Sequence, residues 1–498
     1  MSKFPIRISR LSKPVGVSIV SICALIFLTG APGAVVPHTY AEGDSLAYHS
    51  EQVGYDGKNY TVQWVSADLS DPYLRVAPVT ASGGIGHVES FADMMDEHQA
   101  AAGVNGTFFD AYEPDDSARY PNGLMIRSGN IVRTGENASF GILADKTTLV
   151  QKTKLSLQVS VVHQGKSYTF SPWGVNTYYG SGETDQVLWF TPDFGAEVAY
   201  PGGTKIVISD HQIVQITDDA VAIPEDGQVC FVGRSNNNVK NLLPHLHVGY
   251  KVESKPHTVD MITGKEISFS QWEAAIGAGP ILVSNGEVNI DYERDGFTDP
   301  KITSQAGARS FIGTDGDGRL AIGTTSSATI DSMAHVLQQL GFTNAMNLDG
   351  GASSALYYDG SMLRAPGREL SNALIIQRME HPQVQIEVNG KLVDEFRGFI
   401  QSDTTMVPFR GIFERIDANF RWDDLTRTLS ADKGKTSLVL QPDLGVALVN
   451  GKSVALQTAP TIVDGHIYVP LRFIAETLGA TVEWNQQLYR ASLTVPKK

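Results

Sequence analysis

The sequence predicts an α+β fold: a strand-rich larger domain with a few helices, followed by a small repeated α+β module. Three observations predict it. Short alternating runs bounded by Gly, Asp, Asn and Ser recur from about residue 47 to residue 378. Helical spacing of apolar residues is confined to a few stretches. After His381-Pro382 the character changes, and a segment repeats at an offset of 62 residues.

The elements follow in order. Residues 1–41 hold Lys3, Arg7, Arg10 and Lys13 with no acidic residue, then an apolar run from Val15 to Leu28, then Thr39-Tyr40-Ala41. A basic start, a short apolar run and a small-residue exit read as a secretory signal peptide. Cleavage is placed after Ala41, with Ala34 as the alternative site. A retained membrane anchor is the competing reading, because the run is close to spanning length. Tyr60-Thr61-Val62-Gln63-Trp64-Val65 and Lys205-Ile206-Val207-Ile208 read as strands. Ser90 is placed to cap a helix through about Gln99, with Phe91, Met94 and Met95 on one side. A second helix starts at Asp331 or Ser332, carries Met333, Val336, Leu337 and Leu340 at helical spacing, and ends at Gly341. Each helix leads through an apolar strand into a Gly-rich turn, Asn105-Gly106 or Asp349-Gly350-Gly351. In the C-terminal part, Val407-Pro408-Phe409-Arg410 recurs as Val469-Pro470-Leu471-Arg472, and Trp422 recurs as Trp484. Each copy reads as hairpin, short helix and hairpin. The division is 1–41 signal peptide, 45–380 catalytic domain and 383–498 repeat module.

Composition limits the function. The chain has 498 residues and a formal charge of -15, which falls to -19 once residues 1–41 and their four basic side chains are removed. Such a balance argues against general nucleic-acid binding, which needs Lys and Arg against phosphate. Of the two cysteines, Cys23 lies in the leader and Cys230 in the apolar run Val229-Cys230-Phe231-Val232, so no internal disulfide is expected and Cys230 reads as a buried hydrophobe. No segment after the leader is long and apolar enough to span a bilayer as a helix. The protein is expected to be secreted or held at the cell surface.

Four stretches carry candidate chemistry: Gly103-Val104-Asn105-Gly106-Thr107-Phe108-Phe109-Asp110; Ala275 to Pro280; Ala308-Arg309-Ser310-Phe311-Ile312-Gly313; and Ala345-Met346-Asn347-Leu348-Asp349-Gly350-Gly351-Ala352-Ser353-Ser354, with Glu369-Leu370-Ser371-Asn372-Ala373-Leu374 behind it. Asn347 and Asp349 alternate with apolar neighbours and so share one face near a strand end. The glycines after them allow close approach of a backbone or a ligand, and successive amides there can form an anion nest. A tight turn in which the Asp caps its own backbone explains the same residues equally well. Asp315 and Asp317 hint at a calcium loop, but the closing Glu is missing. His245 and His247 read as surface histidines. No metal site is expected, and cofactors are left open.

Taken together, the four stretches resemble the phosphodiester glycosidase family over roughly 75–378. Ala352 stands where the family usually has a third Gly, Arg309-Ser310 where it has Arg-Thr, and Ile322-Gly323-Thr324-Thr325 where it often has Val-Asp-Gly-Arg. The resemblance implies hydrolysis of a sugar-1-phosphodiester in envelope or extracellular glycans. It implies catalytic roles for Asp349 and Arg309, with Asp349 facing the anomeric carbon or activating water and Arg309 clamping phosphate. It implies substrate-binding roles for Asn105, Gly106, Thr107, Phe109, Asn347, Gly350, Gly351, Ser354, Ser371 and Asn372. Asp110 and Glu273 are reserve candidates for a second carboxylate. The C-terminal repeat resembles the copper amine oxidase N-terminal (stalk) domain, which implies attachment to the cell wall. No His or Cys cluster suited to copper is present there, His466 being isolated. A binding protein that grips a glycan phosphate without turnover is the alternative, and a structural envelope protein the second.

Overall fold

The computed structural model describes residues 45–393, 396–463, 466–486 and 488–496. The signal-peptide reading of residues 1–41, Cys23 included, lies outside them. No helix among the described residues is long and apolar enough to cross a membrane.

The α+β expectation is corrected. Strands hold 51% of the chain and helices 13%, so the fold is largely β. The physical reason lies in helix length. The helix capped by Ser90 runs only Phe91–Glu97, and the longest, Ile330–Gln339, has ten residues. Each covers one face of a sheet instead of forming a layer of its own. Phe91, Met94 and Met95 pack on Ala77, Val79 and Ile375. Ile330, Met333, Val336 and Leu337 pack on Trp64, Phe311 and Phe342. The second helix starts slightly earlier than its sequence suggests, because Thr329 takes the N-cap and exchanges hydrogen bonds with Ser332 in a capping box.

Three sheets share the main core. A seven-stranded antiparallel sheet runs Leu46–Tyr55, Lys58–Ala67, Leu320–Ala328, Gly307–Asp315, Phe342–Asn347, Ile281–Ser284, Glu287–Val288. A five-stranded one runs Ser361–Arg364, Leu356–Tyr358, Ala100–Asn105, Asn372–Arg378, Leu74–Thr80. A thirteen-stranded sheet includes the 16-residue strand Thr148–His163 and the strands Gly135–Leu143 and Trp272–Ala278. Ile312, Ile322 and Met346 from the first, Val104, Leu356 and Leu374 from the second, and Phe140 and Ile276 from the third are buried against one another. Alternation at period two explains why one face of each strand enters this core. Cys230 sits in a separate buried cluster with Trp189 and Ile206, and burial pushes its thiol up to about 12.

The C-terminal repeat is visible in the ladder. Val407 pairs with Val469, its own equivalent 62 residues on, in an antiparallel bridge. Two equivalent residues facing each other this way place a local two-fold axis between the copies. The hairpins Asn419–Asp423 with Thr428–Lys433 and Thr481–Asn485 with Arg490–Thr494 correspond, as do the helices Phe409–Arg415 and Leu471–Thr477. Trp422 Nε1 donates to Asp424 and Trp484 Nε1 to Gln486, again at equivalent positions. The repeat touches the preceding region: Gln383 N donates to Pro72 O at 2.8 Å, and Arg410 lies 3.7 Å from Asp226.

Candidate active site

The strands Ala100–Asn105, Phe342–Asn347 and Asn372–Arg378 bring three Gly- and Asn-rich segments to one place. Asn105, buried at the end of its strand, is the tie. Its Nδ2 donates to Asp349 O at 2.7 Å, and its Oδ1 accepts from Ser310 Oγ at 2.6 Å and Ala355 N at 3.0 Å. Asp349 N donates to Gly106 O at 3.1 Å. Asn372 closes the other side, with Oδ1 accepting from Thr107 N at 2.7 Å and Nδ2 donating to Ser371 Oγ at 2.9 Å. Gly106 has to be glycine, because a Cβ there would stand 2.0 Å from Asn372 Oδ1. Segments more than two hundred positions apart are thus locked into one constellation by buried amides, which hold a turn more firmly than apolar contacts alone.

Asp349 lies half-buried at the centre of this turn. Its Oδ1 accepts from Gly350 N at 2.8 Å, and the Ser353 hydroxyl also donates to the carboxylate. Burial pushes the carboxyl up to about 6; the bonds from Ser353 and Gly350, and the charge of Arg368, pull the other way. A carboxyl titrating near neutrality can both take and give a proton under ordinary conditions.

Arg309 is beside the same turn, and its Nε and Nη2 are taken by main-chain carbonyls. Its Nε donates to Ala328 O at 3.1 Å, and its Nη2 to Lys301 O at 3.0 Å and Gln305 O at 2.6 Å. Burial lowers its pKa, with Tyr292 acting in the opposite direction. Nη1 packs on Gly350, where a Cβ would come within 3.6 Å of it. Arg309 therefore braces the segment 301–305 against the Gly350 turn. The cation that acts on Asp349 is Arg368. Arg368 and Lys301 flank the ring of Tyr112, with Cζ and Nζ 5.3 Å and 5.6 Å from its centroid. Tyr112 is 80% exposed, and Arg368 and Lys301 lower the pKa of its phenol, while Asp349 acts in the raising direction. Sequence reasoning passed over these three. Arg368 stands three residues before Ser371-Asn372, and that proximity was the available signal.

The remaining sequence candidates divide. Thr107 Oγ1, Asn347 Oδ1 and Ser354 Oγ are buried with no hydrogen-bond partner, while Asn347 Nδ2 donates to Gly279 O at 2.8 Å. Gly351 adopts φ +64, which suits glycine. Phe109 is buried among Phe91, Met94 and Leu370, and Phe108 packs against Phe297 at 5.8 Å. Asp110 is exposed and accepts from Asn122 Nδ2 at 3.0 Å. Glu273 stands elsewhere, 2.7 Å from Lys146 and 4.0 Å from Arg397 of the C-terminal part; burial raises its pKa but these cations outweigh it and hold it low. Thr324 and Thr325, where the family often has Gly-Arg, are buried, and Thr325 pairs with Arg309 across the sheet. His245 stacks on Tyr168 at 3.9 Å. Among the described residues, no group of three or more His, Cys, Asp or Glu side chains is placed to hold a metal ion.

With this geometry established, comparison with known proteins is informative. Residues 198–377 match the phosphodiester glycosidase family model. Residues 387–493 match the copper amine oxidase N-terminal domain model. The glycosidase match contains Lys301, Arg309, Asp349 and Arg368; the tie from Asn105 comes from outside it. No match was found among curated proteins. A hypothetical protein from Synechocystis shares the fold at TM-score 0.56 and 20% identity, over 67% of this chain and 62% of that one. The chain thus spans under two thirds of that protein's length. A Burkholderia pseudomallei K96243 protein described as exported aligns at TM-score 0.53 and 17% identity, over 64% of this chain and 74% of its own. The zebrafish N-acetylglucosamine-1-phosphodiester alpha-N-acetylglucosaminidase catalytic domain, auto-inhibited by its pro-peptide, aligns at TM-score 0.36 and 15% identity, over 68% of this chain and 85% of its own.

Proposed function

We propose that this protein hydrolyses a sugar-1-phosphodiester at the Asp349 turn. One observation carries the reading: a half-buried carboxyl, pushed up to about 6, lies within the influence of Arg368 inside the region matching phosphodiester glycosidases. Water attacks the anomeric carbon while its proton passes to Asp349. The bond from the anomeric carbon to the phosphoester oxygen breaks, and its electron pair leaves on a phosphate monoester. That leaving group is already anionic, so cations serve it better than a strong acid would. Arg368 and Lys301, both lying over the exposed Tyr112 ring, hold the phosphate. Arg309, whose Nε and Nη2 are engaged with main-chain carbonyls, acts as a positioning residue. Thr107 Oγ1, Asn347 Oδ1 and Ser354 Oγ supply unmet polar atoms for sugar hydroxyls or for the attacking water. The leader-like residues 1–41 and the repeat, which resembles modules of envelope proteins, support export and attachment to the cell wall, with envelope or extracellular glycans as substrate.

The test is product analysis in oxygen-18 water with a nucleotide-sugar phosphodiester. Glycosidic cleavage puts the label in the released sugar. Label in the phosphate would mean attack at phosphorus, and no release at all would favour the glycan-binding alternative.

A further inference from the structure

Arg133 ends the strand Asn130–Arg133. Its Nε and Nη1 are buried and neither has a hydrogen-bond partner. No carboxylate among the described residues lies within ion-pairing distance. The charged or titratable groups that act on it are Tyr179, Asp110 and Tyr120, and their influence is outweighed by burial, which lowers its pKa. Arg133 is only half-buried, but two donors of its guanidinium are out of water and unmet, which is costly to the fold and suits an anion at that group.

The neighbourhood indicates what bears that anion. Thr134 Oγ1 accepts from Val175 N at 2.9 Å, which draws the segment 173–179 against Arg133. A Cβ on Gly174 would stand 3.2 Å from the Tyr179 hydroxyl and 3.6 Å from Thr134 Oγ1, so Tyr179 is adjacent. Trp173 and Tyr179 are 48% and 47% exposed and meet edge to face at 6.0 Å. The Tyr178 hydroxyl is buried with no partner as well. Exposed aromatic faces beside an unmet guanidinium match a sugar ring carrying an acidic group.

We propose that Arg133, Trp173 and Tyr179 form a subsite for an acidic sugar unit. The aromatic rings take the face of the sugar, and Arg133 takes its carboxylate or phosphate. The proposal does not depend on the hydrolase reading, since it concerns binding of sugars that contain no phosphodiester.

Calorimetric titration of the full chain with glucuronic acid, glucose 1-phosphate and glucose tests it. The wild type should bind glucuronic acid at least about tenfold more tightly than glucose, the scale of a charged hydrogen-bonded pair. Glucose 1-phosphate in place of glucuronic acid as the preferred ligand would identify phosphate as the anion. Arg133→Met should abolish the preference while leaving Tm unchanged or higher, because it removes a buried charge that nothing in the fold pairs. Trp173→Ala, at an exposed position, should weaken both acidic sugars without lowering Tm. Equal binding of acidic and neutral sugar by the wild type, or a preference that survives Arg133→Met, would overturn the proposal. So would a preference lost in Arg368→Ala but kept in Arg133→Met, which would assign it to the Asp349 turn.

Discussion

Asn105→Ala removes the amide that ties three chain segments to the Asp349 turn. Its side chain makes three hydrogen bonds, at 2.7 Å to Asp349 O, 2.6 Å to Ser310 Oγ and 3.0 Å to Ala355 N. All three partners lie inside the protein, where each group left unmet costs about 1–3 kcal/mol, so the substitution should destabilise by about 3–9 kcal/mol. At the roughly 2–4 °C per kcal/mol of domains of about 150–250 residues, and somewhat less for the larger domain here, the melting point should fall by at least about 5 °C. Ser310→Ala serves as the graded control. It removes one of the three bonds, leaves Oδ1 with Ala355, and should cost about 1 kcal/mol. Thermal melting followed by circular dichroism gives the comparison. Surviving folded Asn105→Ala should also turn over more slowly, since the main chain of Asp349 has lost its anchor. A melting point within about 2 °C of wild type would show that the tie is not what holds the turn.

Two further expectations separate bracing from catalysis and fix the sign of a pH effect. Arg309→Lys should lower the melting point, since one ammonium cannot serve Ala328 O, Lys301 O and Gln305 O together, whereas Arg368→Ala should leave melting nearly unchanged and raise KM; the reverse pattern would exchange their roles. Because burial pushes the Asp349 carboxyl up to about 6, the folded protein holds that proton more tightly than the unfolded chain does. Stability linked to this group is complete below about pH 4 and is lost as pH rises through about 6. Asp349→Asn should therefore have a flatter melting profile across that window, and parallel profiles would count against a buried, perturbed carboxyl.

The sequence made local features legible and left their lateral relations obscure. Ser90 as a helix cap and the 62-residue repeat are readable along the chain, and the structure contains both. The balance of helix and strand was misjudged because two well-patterned helices stood out in a chain whose many strands are short. Asp349-Gly350-Gly351 was readable as either a site or a turn, and the bonds from Asn105 and Asn372 are what make it a junction. Arg309 fitted a family motif, yet the carbonyls it serves come from 301, 305 and 328, which no local pattern reveals. Arg368, Lys301 and Tyr112 lie on three separate segments and meet only through folding. Arg133 was invisible for a different reason: its distinction is the lack of a partner, and that cannot be seen without coordinates.

Hydrolysis of a nucleotide-sugar phosphodiester by wild type and Asp349→Asn, with melting curves to establish that both are folded, bears most directly on whether this turn is catalytic. Loss of the carboxylate should reduce turnover at least about hundredfold, the usual scale for a proton-transferring group. A folded Asp349→Asn protein that releases sugar as fast as wild type would remove Asp349 from the chemistry.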